Sequence, residues 1–414
     1  MELIYVLDYR FARTPDGIVW TDTDYDEPFW GRYLKTFDRV RIVSRVRETP
    51  LAKPEWRRVD GKSVSVEAVP YYLGPYEYLA RARKVRCAVK VALARPDAAV
   101  ILRAPSQIST CCASLLYSRR RPYGVEVVGD PYESLGPGRV RHFLRPIFRL
   151  WYSVQQKRQC ANARGAAYVA EGLQARYPAR AGALSIVCSD VHLPDEAFVE
   201  CGRAHRRKDT FRIITVASLS QLYKGVDILI EAAAECARSG LNLTLTIMGD
   251  GKHRRDLEAR AASLNLGSRI KFLGNLPAGA AVRAQLDCAD LFVLASRAEG
   301  TPRAMLEAMA RALPCIGSAV GAIPVLLAAD DLVRTGDVAA VAKKIREVVE
   351  DRERMDLMSR RNLETARGYL EAVLQPEREK FYQFVRGETR KWIDAGSFAP
   401  AGRSLHNYAG PSRH

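Results

Sequence analysis

At 414 residues, with 48% hydrophobic and 27% charged side chains, the composition fits two or three folded domains and excludes a disordered or fibrous chain. The net charge of +17 is concentrated early: residues 1–190 hold 31 Lys and Arg against 19 Asp and Glu, and the remainder holds 33 against 28. A basic first half points to an anionic partner such as a membrane surface or a lipid-linked phosphate. Nucleic acid is not expected, because no helix-turn-helix, zinc finger or aromatic RNA-binding signature accompanies the charge. No apolar run reaches the roughly 18 residues that span a bilayer, and the start lacks a basic and then apolar leader pattern. The nine cysteines show no C-x2-C spacing, and the six histidines show no paired ligand spacing. These features predict a cytoplasmic chain without disulfides or structural metal.

In chain order, 3–7 is a credible first strand, followed by a loop in which Asp16-Gly17 forms a turn. Asp22, Asp24 and Asp26 look like a metal cluster but lack the glycine and the twelfth-position glutamate of a calcium loop, so a solvated or acceptor-facing loop is expected. Residues 39–43, 98–102 and 125–128 read as buried strands, and 167–170 as a weaker one. Asp130 follows the 125–128 strand. It is read either as a group polarising a hydroxyl or as a turn cap before Pro131. Between 139 and 157, Val140, Phe143, Leu144, Ile147, Phe148, Trp151 and Val154 recur at helical spacing with basic residues among them, and Pro146 sets the helix start. That stripe is either the buried face of a domain helix or a peripheral contact with an anionic leaflet. Residues 194–209 are polar and aperiodic, and read as a linker.

A second alternating series starts at Phe211 and runs to about Gly368. It contains a strand ending before Lys224, a helix from Val226, a strand over 243–248, a helix from His253 and a strand over 291–294. Lys224 follows the carboxyl end of its strand, where open α/β sheets bind ligands. Glu299-Gly300-Thr301-Pro302 then sets a carboxylate before a helix carrying Glu307. Pro302 suits the first helical turn, which would leave the amides of Gly300, Thr301 and Arg303 aimed at an anion. A diphosphate with a hydroxylated sugar at each end fits that layout. Residues 371–386 read as a helix, regular from Pro376 onward, and 389–414 as a poorly ordered tail.

The stretch 211–327 resembles the C-terminal domain of the retaining glycosyltransferases of family 4. The pieces are Val216-Ala217-Ser218-Leu219, Lys224-Gly225-Val226-Asp227, Ile247-Met248-Gly249-Asp250-Gly251 and Ile270-Lys271-Phe272-Leu273-Gly274. They continue with Ala289-Asp290-Leu291-Phe292-Val293, the Glu299/Glu307 pair and Gly321-Ala322-Ile323-Pro324. The resemblance implies an α/β GT-B fold, with two Rossmann-like doubly wound domains facing across a cleft. Its parts would be an acceptor domain (1–193), a linker (194–209), a donor domain (210–370), a helix crossing back (371–388) and a flexible tail (389–414). It also implies a nucleotide-sugar donor and a glycan or lipid-linked acceptor, with no cofactor and no metal. Catalytic roles would fall to Glu299 and Asp130. Lys224, Ser218, Gly300, Thr301, Pro302 and Arg303 would hold the diphosphate. Glu307 would hold the ribose, the loop of Gly274 and Asn275 would edge the base, and Asp16 and Gly17 would approach the donor.

Two departures stand out. Ser218 occupies the place where relatives carry an arginine, so Arg303 or an N-terminal residue would have to supply that charge. Gly129-Asp130-Pro131 replaces a histidine, and only one glycine stands in 13–17. A catalytically degenerate relative acting as a binding subunit is therefore the alternative reading.

Overall fold

The computed structural model describes residues 1–23, 25–136, 143–191, 193–206 and 208–396. Two parallel sheets organise them. The first is built from β1 (Glu2–Arg13), β2 (Val19–Thr21), β3 (Arg39–Glu48), β4 (Arg57–Arg58), β5 (Val64–Pro70), β6 (Ala99–Ala104), β7 (Gly124–Val127), β8 (Gly165–Tyr168) and β9 (Leu184–Val187). Its parallel body has the order β5-β3-β1-β6-β7-β8-β9, and β2 with β4 adds an antiparallel flap at the far end of β1. The second sheet is β12-β11-β10-β13-β14-β15, from β10 (Phe211–Val216), β11 (Leu243–Met248), β12 (Ile270–Gly274), β13 (Leu291–Leu294), β14 (Cys315–Ser318) and β15 (Leu332–Val333). All its pairings are parallel, so helices must cross between strands and cover both faces.

Alternation within the strands divides the core. In β1, Ile4 and Val6 face the Gly74–Ala92 and Gln107–Ser118 helices, while Leu3, Tyr5 and Leu7 face the Glu27–Leu34 helix and the last helix. Around the second sheet, the Val226–Arg238 helix buries Ile228, Leu229, Ile230 and Ala233 against one face. Each such aliphatic side chain contributes about 1.5–3 kcal/mol. The Arg303–Ala310 helix buries Met305, Leu306 and Met309 against the other face.

Several expectations need correction. β1 does not end at residue 7; it continues past a pairing irregularity between Val6 and Arg10 and pairs again with β3 up to Arg13. β2, β4, β5 and β9 were not anticipated; β2 and β4 have only three and two residues, β9 has four, and β5 ends in a proline. Much of 194–209, read as the interdomain linker, is strapped to the second domain. The guanidinium of Arg203 donates to Arg311 O (2.8 Å) and Ala289 O (2.7 Å), and Val199 N donates to Ala310 O (3.0 Å).

The last helix is regular from Glu371, with Pro376 inside it, and it runs to Asp394, beyond the expected tail boundary at 389. Residues 397–414 of that tail lie outside the described residues. This helix lies on the N-terminal sheet. A Cβ placed on Gly124 would fall 2.6 Å from Val385 Cγ2 and 2.9 Å from Phe381 Cζ, so glycine is what lets the helix seat. Arg378, itself buried, donates to Ser189 O (2.9 Å) and Val191 O (2.6 Å) where the chain leaves the first domain.

Candidate active site

In the second sheet the strand order reverses between β10 and β13, and the segments leaving those two strands meet. Open α/β sheets form ligand crevices at such a switch point. After β10 the chain makes a short 3-10 turn, Leu222–Lys224, and Gly225 opens the next helix at φ 67°. A Cβ there would lie 1.8 Å from Ala295 O, so only glycine allows the two segments to touch. Arg297 ties them further. Its guanidinium grips both carboxylate oxygens of Asp227 (2.8 and 2.7 Å) and donates to Leu222 O (2.8 Å). Burial would lower its pKa, but the hydrogen bond to Asp227 is the larger effect and holds the guanidinium above its ordinary value.

These straps bring Lys224 and Glu299 together. Lys224 Nζ donates to Glu299 Oε1 (2.9 Å) and Oε2 (2.8 Å), and Ser296 Oγ donates to Oε1 (2.6 Å). The Glu299 side chain is 3% exposed and that of Lys224 21%. An ammonium has three N–H groups and a carboxylate about four acceptor positions. The pair therefore keeps one donor and at least one acceptor position for a ligand. Gly321, at φ 56°, passes behind the carboxylate; a Cβ there would fall 2.1 Å from Glu299 O.

The helix start differs in detail from expectation. Pro302 is the N-cap residue, with φ −79° and ψ 83°, not a first-turn residue; the helix is Arg303–Ala310. The Arg303 amide is not free, because it donates to Thr301 O (3.0 Å). Among the described residues no protein acceptor meets the amides of Gly300 and Thr301, and Thr301 Oγ1 is buried without a partner. The exposed Gly300 and the part-buried Thr301 thus leave two amides and a hydroxyl without protein acceptors beside the Lys224–Glu299 pair, an arrangement suited to an anionic group with oxygen acceptors. Glu307 lies part-buried in the same helix.

The remaining expected residues are more dispersed. Ser218 is exposed, and its hydroxyl accepts from Ser220 N (3.3 Å). Gly274 and Asn275 stand at the carboxyl end of β12, two strands from β10, where Gly274 O accepts from Gly249 N (2.8 Å). Asp16 and Gly17 form the tip of the β1–β2 hairpin; the Thr14 hydroxyl and the Ile18 amide (3.2 Å) both donate to Asp16 Oδ1. Asp130 caps a short helix, Pro131–Ser134, accepting from Tyr132 N (2.9 Å), and also accepts from Tyr177 OH (2.6 Å) and the Arg176 guanidinium. Oδ1 is thus occupied in the cap and Oδ2 in an ion pair. In the acidic loop, Asp26 caps the Glu27–Leu34 helix and pairs with Arg57 (2.7 Å), Asp22 accepts from Tyr9 OH, and Asp24 lies outside the described residues.

A buried charge cluster in the first domain was missed. Glu126 accepts from Tyr5 OH (2.6 Å) and Tyr33 OH (3.2 Å) and lies 3.6 Å from Arg103, whose guanidinium also pairs with Asp190. Glu126, Asp190, Arg32, Arg378 and Tyr382 line a small cavity of about 20 Å³ under the last helix. Burial would raise the Asp190 pKa, but Arg103, followed by Arg303 and Arg32, holds it below the ordinary carboxylate range. Arg303 therefore reaches the field of the first domain. The available signal was a charged residue inside an otherwise apolar strand, Val125-Glu126-Val127.

Comparisons with known proteins agree with this architecture. Residues 202–365 match the family Glycosyl transferases group 1. Protein CapJ of Staphylococcus aureus is 24% identical over 386 residues, 92% of this chain and 94% of that protein. The 2-deoxystreptamine glucosyltransferase of Streptomyces kanamyceticus is 32% identical over 136 residues, 31% of this chain and 34% of its own. Among solved structures, sucrose-phosphate synthase from Thermosynechococcus elongatus superposes with TM-score 0.71 at 16% identity, over 95% of this chain and 100% of its own. Anabaena HepE in complex with UDP and glucose superposes with TM-score 0.60 at 16% identity, over 95% of this chain and 100% of its own. With two doubly wound domains bridged by its last helix, the chain has the GT-B fold, and its residues 202–365 match the family Glycosyl transferases group 1.

Proposed function

We propose that this group 1 glycosyltransferase moves a sugar, with retention, from a nucleoside-diphosphate sugar to a hydroxyl of a glycan or lipid-linked saccharide in surface polysaccharide or glycoconjugate synthesis. The observation that carries this reading is the Lys224–Glu299 pair beside the unpartnered amides of Gly300 and Thr301. The diphosphate lies on those amides and on the third N–H of Lys224. Glu299 accepts from the hydroxyls of the donor sugar and Glu307 from those of the ribose, while the loop of Gly274 and Asn275 borders the base. As the anomeric carbon–phosphate oxygen bond breaks, charge grows on the diphosphate, and the lysine and helix start stabilise it without a metal. The acceptor oxygen bonds the anomeric carbon on the same face, and its proton passes to the departing phosphate. Arg303 supplies the positive charge that Ser218 lacks.

A thermal-shift panel of UDP-, GDP- and ADP-sugars tests donor binding, since a ligand that binds only the folded state raises the melting temperature. One sugar nucleotide is expected to stabilise the protein saturably and to be converted to free nucleoside diphosphate when an acceptor is present. No stabilisation by any of the three classes overturns the reading. Saturable binding without turnover favours the second one, a binding subunit of the same fold, which the capped state of Asp130 and the serine at 218 support.

A further inference from the structure

The Arg145–Asn162 helix is mounted with its polar side inward. Ser153, Gln156, Gln159 and Cys160 are its buried residues. Gln156 Nε2 donates to Gly129 O (2.9 Å) and Gln159 Nε2 to Thr110 Oγ1 (2.9 Å). Outward stand Ile147, Leu150 and Trp151, which are 61%, 66% and 38% exposed, and Phe143 just before the helix is 78% exposed. Positions 143, 147, 150 and 151 fall on one helical face. A surface helix ordinarily turns such a stripe to the core, so this one is built for contact outside the fold.

The charge around the stripe says what kind of contact. Between Glu133 and Glu171 the sequence has seven Arg or Lys and no acidic residue. Beside the stripe, Tyr132, Arg145, Pro146, Arg149 and Leu150 line an open hollow. The Arg149 guanidinium lies 3.5 Å from the centre of the Tyr132 ring, and its Nε donates to Tyr132 O (2.7 Å). Arg145 donates to Gly136 O (2.8 Å). Both guanidinium groups are thereby oriented while retaining N–H groups for an outside acceptor. A twofold contact with a second copy would face one cationic patch with another.

We propose that this face docks on an anionic bilayer, with Ile147, Leu150 and Trp151 entering the headgroup–acyl boundary while Arg145 and Arg149 meet lipid phosphates. Among the described residues no helix is long and apolar enough to cross a membrane, so the contact is peripheral. It uses only the surface of the first domain and no donor-site residue, and so is independent of the proposed transfer.

Co-sedimentation of the full chain with vesicles tests it. Vesicles of phosphatidylcholine alone should retain little protein. Vesicles containing phosphatidylglycerol should retain most of it, with binding that falls as salt rises. The double variant Ile147→Ser/Leu150→Ser should lose at least about tenfold in partitioning. The control Leu357→Ser, at an exposed leucine of the second domain, should lose none. Both variants should melt like the parent, because the altered side chains are exposed. The proposal is overturned if phosphatidylglycerol vesicles retain no protein or retain the double variant equally. It is also overturned if sedimentation velocity shows a dimer that the double variant abolishes.

Discussion

Lys224 Nζ stands 2.9 and 2.8 Å from the two carboxylate oxygens of Glu299, closing the angle between the segments that leave β10 and β13. The contact fixes local structure and also poises two opposite charges at a crevice, so its two roles can be separated by substitution. Breaking a buried ion pair from one side costs roughly 3–5 kcal/mol. Because Lys224 retains 21% side-chain exposure, Lys224→Ala is expected to cost about 2 kcal/mol. Glu299→Gln keeps an acceptor for Ser296 and should cost less. Both should lower glycosyl transfer by at least about 100-fold. Denaturant unfolding and nucleotide-release assays read the two effects, and wild-type turnover in both variants would refute the assignment of the site.

Gly225→Ala and Gly321→Ala should each destabilise by at least about 2 kcal/mol, because left-handed backbone and a Cβ within 2.1 Å of a carbonyl oxygen are forced together. Both should also weaken nucleotide-sugar binding beyond their effect on melting, because Gly225→Ala parts the segments that carry Lys224 and Glu299 and Gly321→Ala pushes on the Glu299 backbone. Isothermal titration at a temperature where both variants are folded checks this; parent-like affinity in either would argue against that coupling.

Asp290 gives an acid-sensitive contribution. Burial works to raise its pKa, but Lys208 and Arg212 donate to it, Arg212 N at 2.9 Å, and together hold it below the ordinary value. A carboxyl with a depressed folded-state pKa adds stability above its unfolded pKa, near 4, and loses it as pH falls through the lower folded value. Asp290→Asn should therefore melt below the parent at pH 7, with the gap narrowing below about pH 4. Melting curves at several pH values check this, and a gap that widened in acid would contradict it.

Much of this was legible in the sequence, for identifiable reasons. β10, β11 and β13 are short apolar runs closed by Gly, Ser or Asp, and the sequence placed all three, with Lys224 and Glu299 at the ends of β10 and β13. The bond between those two was not legible. It depends on strands 211–216 and 291–294 lying side by side, which spacing along the chain does not encode. The Asp227–Arg297 strap was hidden for the same reason, since each residue alone looks like a solvated charge. Of the 139–157 stripe, 139–142 lie outside the described residues and the rest was read correctly as helical from near Pro146, but both readings of it remained open. What decided for an exposed face was the hydrogen bonding of Gln156 and Gln159, polar residues that the apolar pattern passed over.

Arg378→Ala should be among the more damaging single changes outside the crevice, at about 3 kcal/mol, because it removes the buried guanidinium that donates to the Ser189 and Val191 carbonyls and pairs with Glu371. Calorimetry should show the unfolding transition lowered or split in two. An unchanged single transition would mean that the arginine fastens nothing.

The seating of the last helix on Gly124 also bears on how the protein comes off the ribosome. The first half of the polypeptide emerges long before Phe381 and Val385, whose side chains cap its sheet, so vectorial synthesis cannot finish that half on its own. Nascent chains stalled before residue 371 should leave the early strands open to protease until the Glu371–Asp394 segment emerges. For this fold, a segment made late completes the domain begun first.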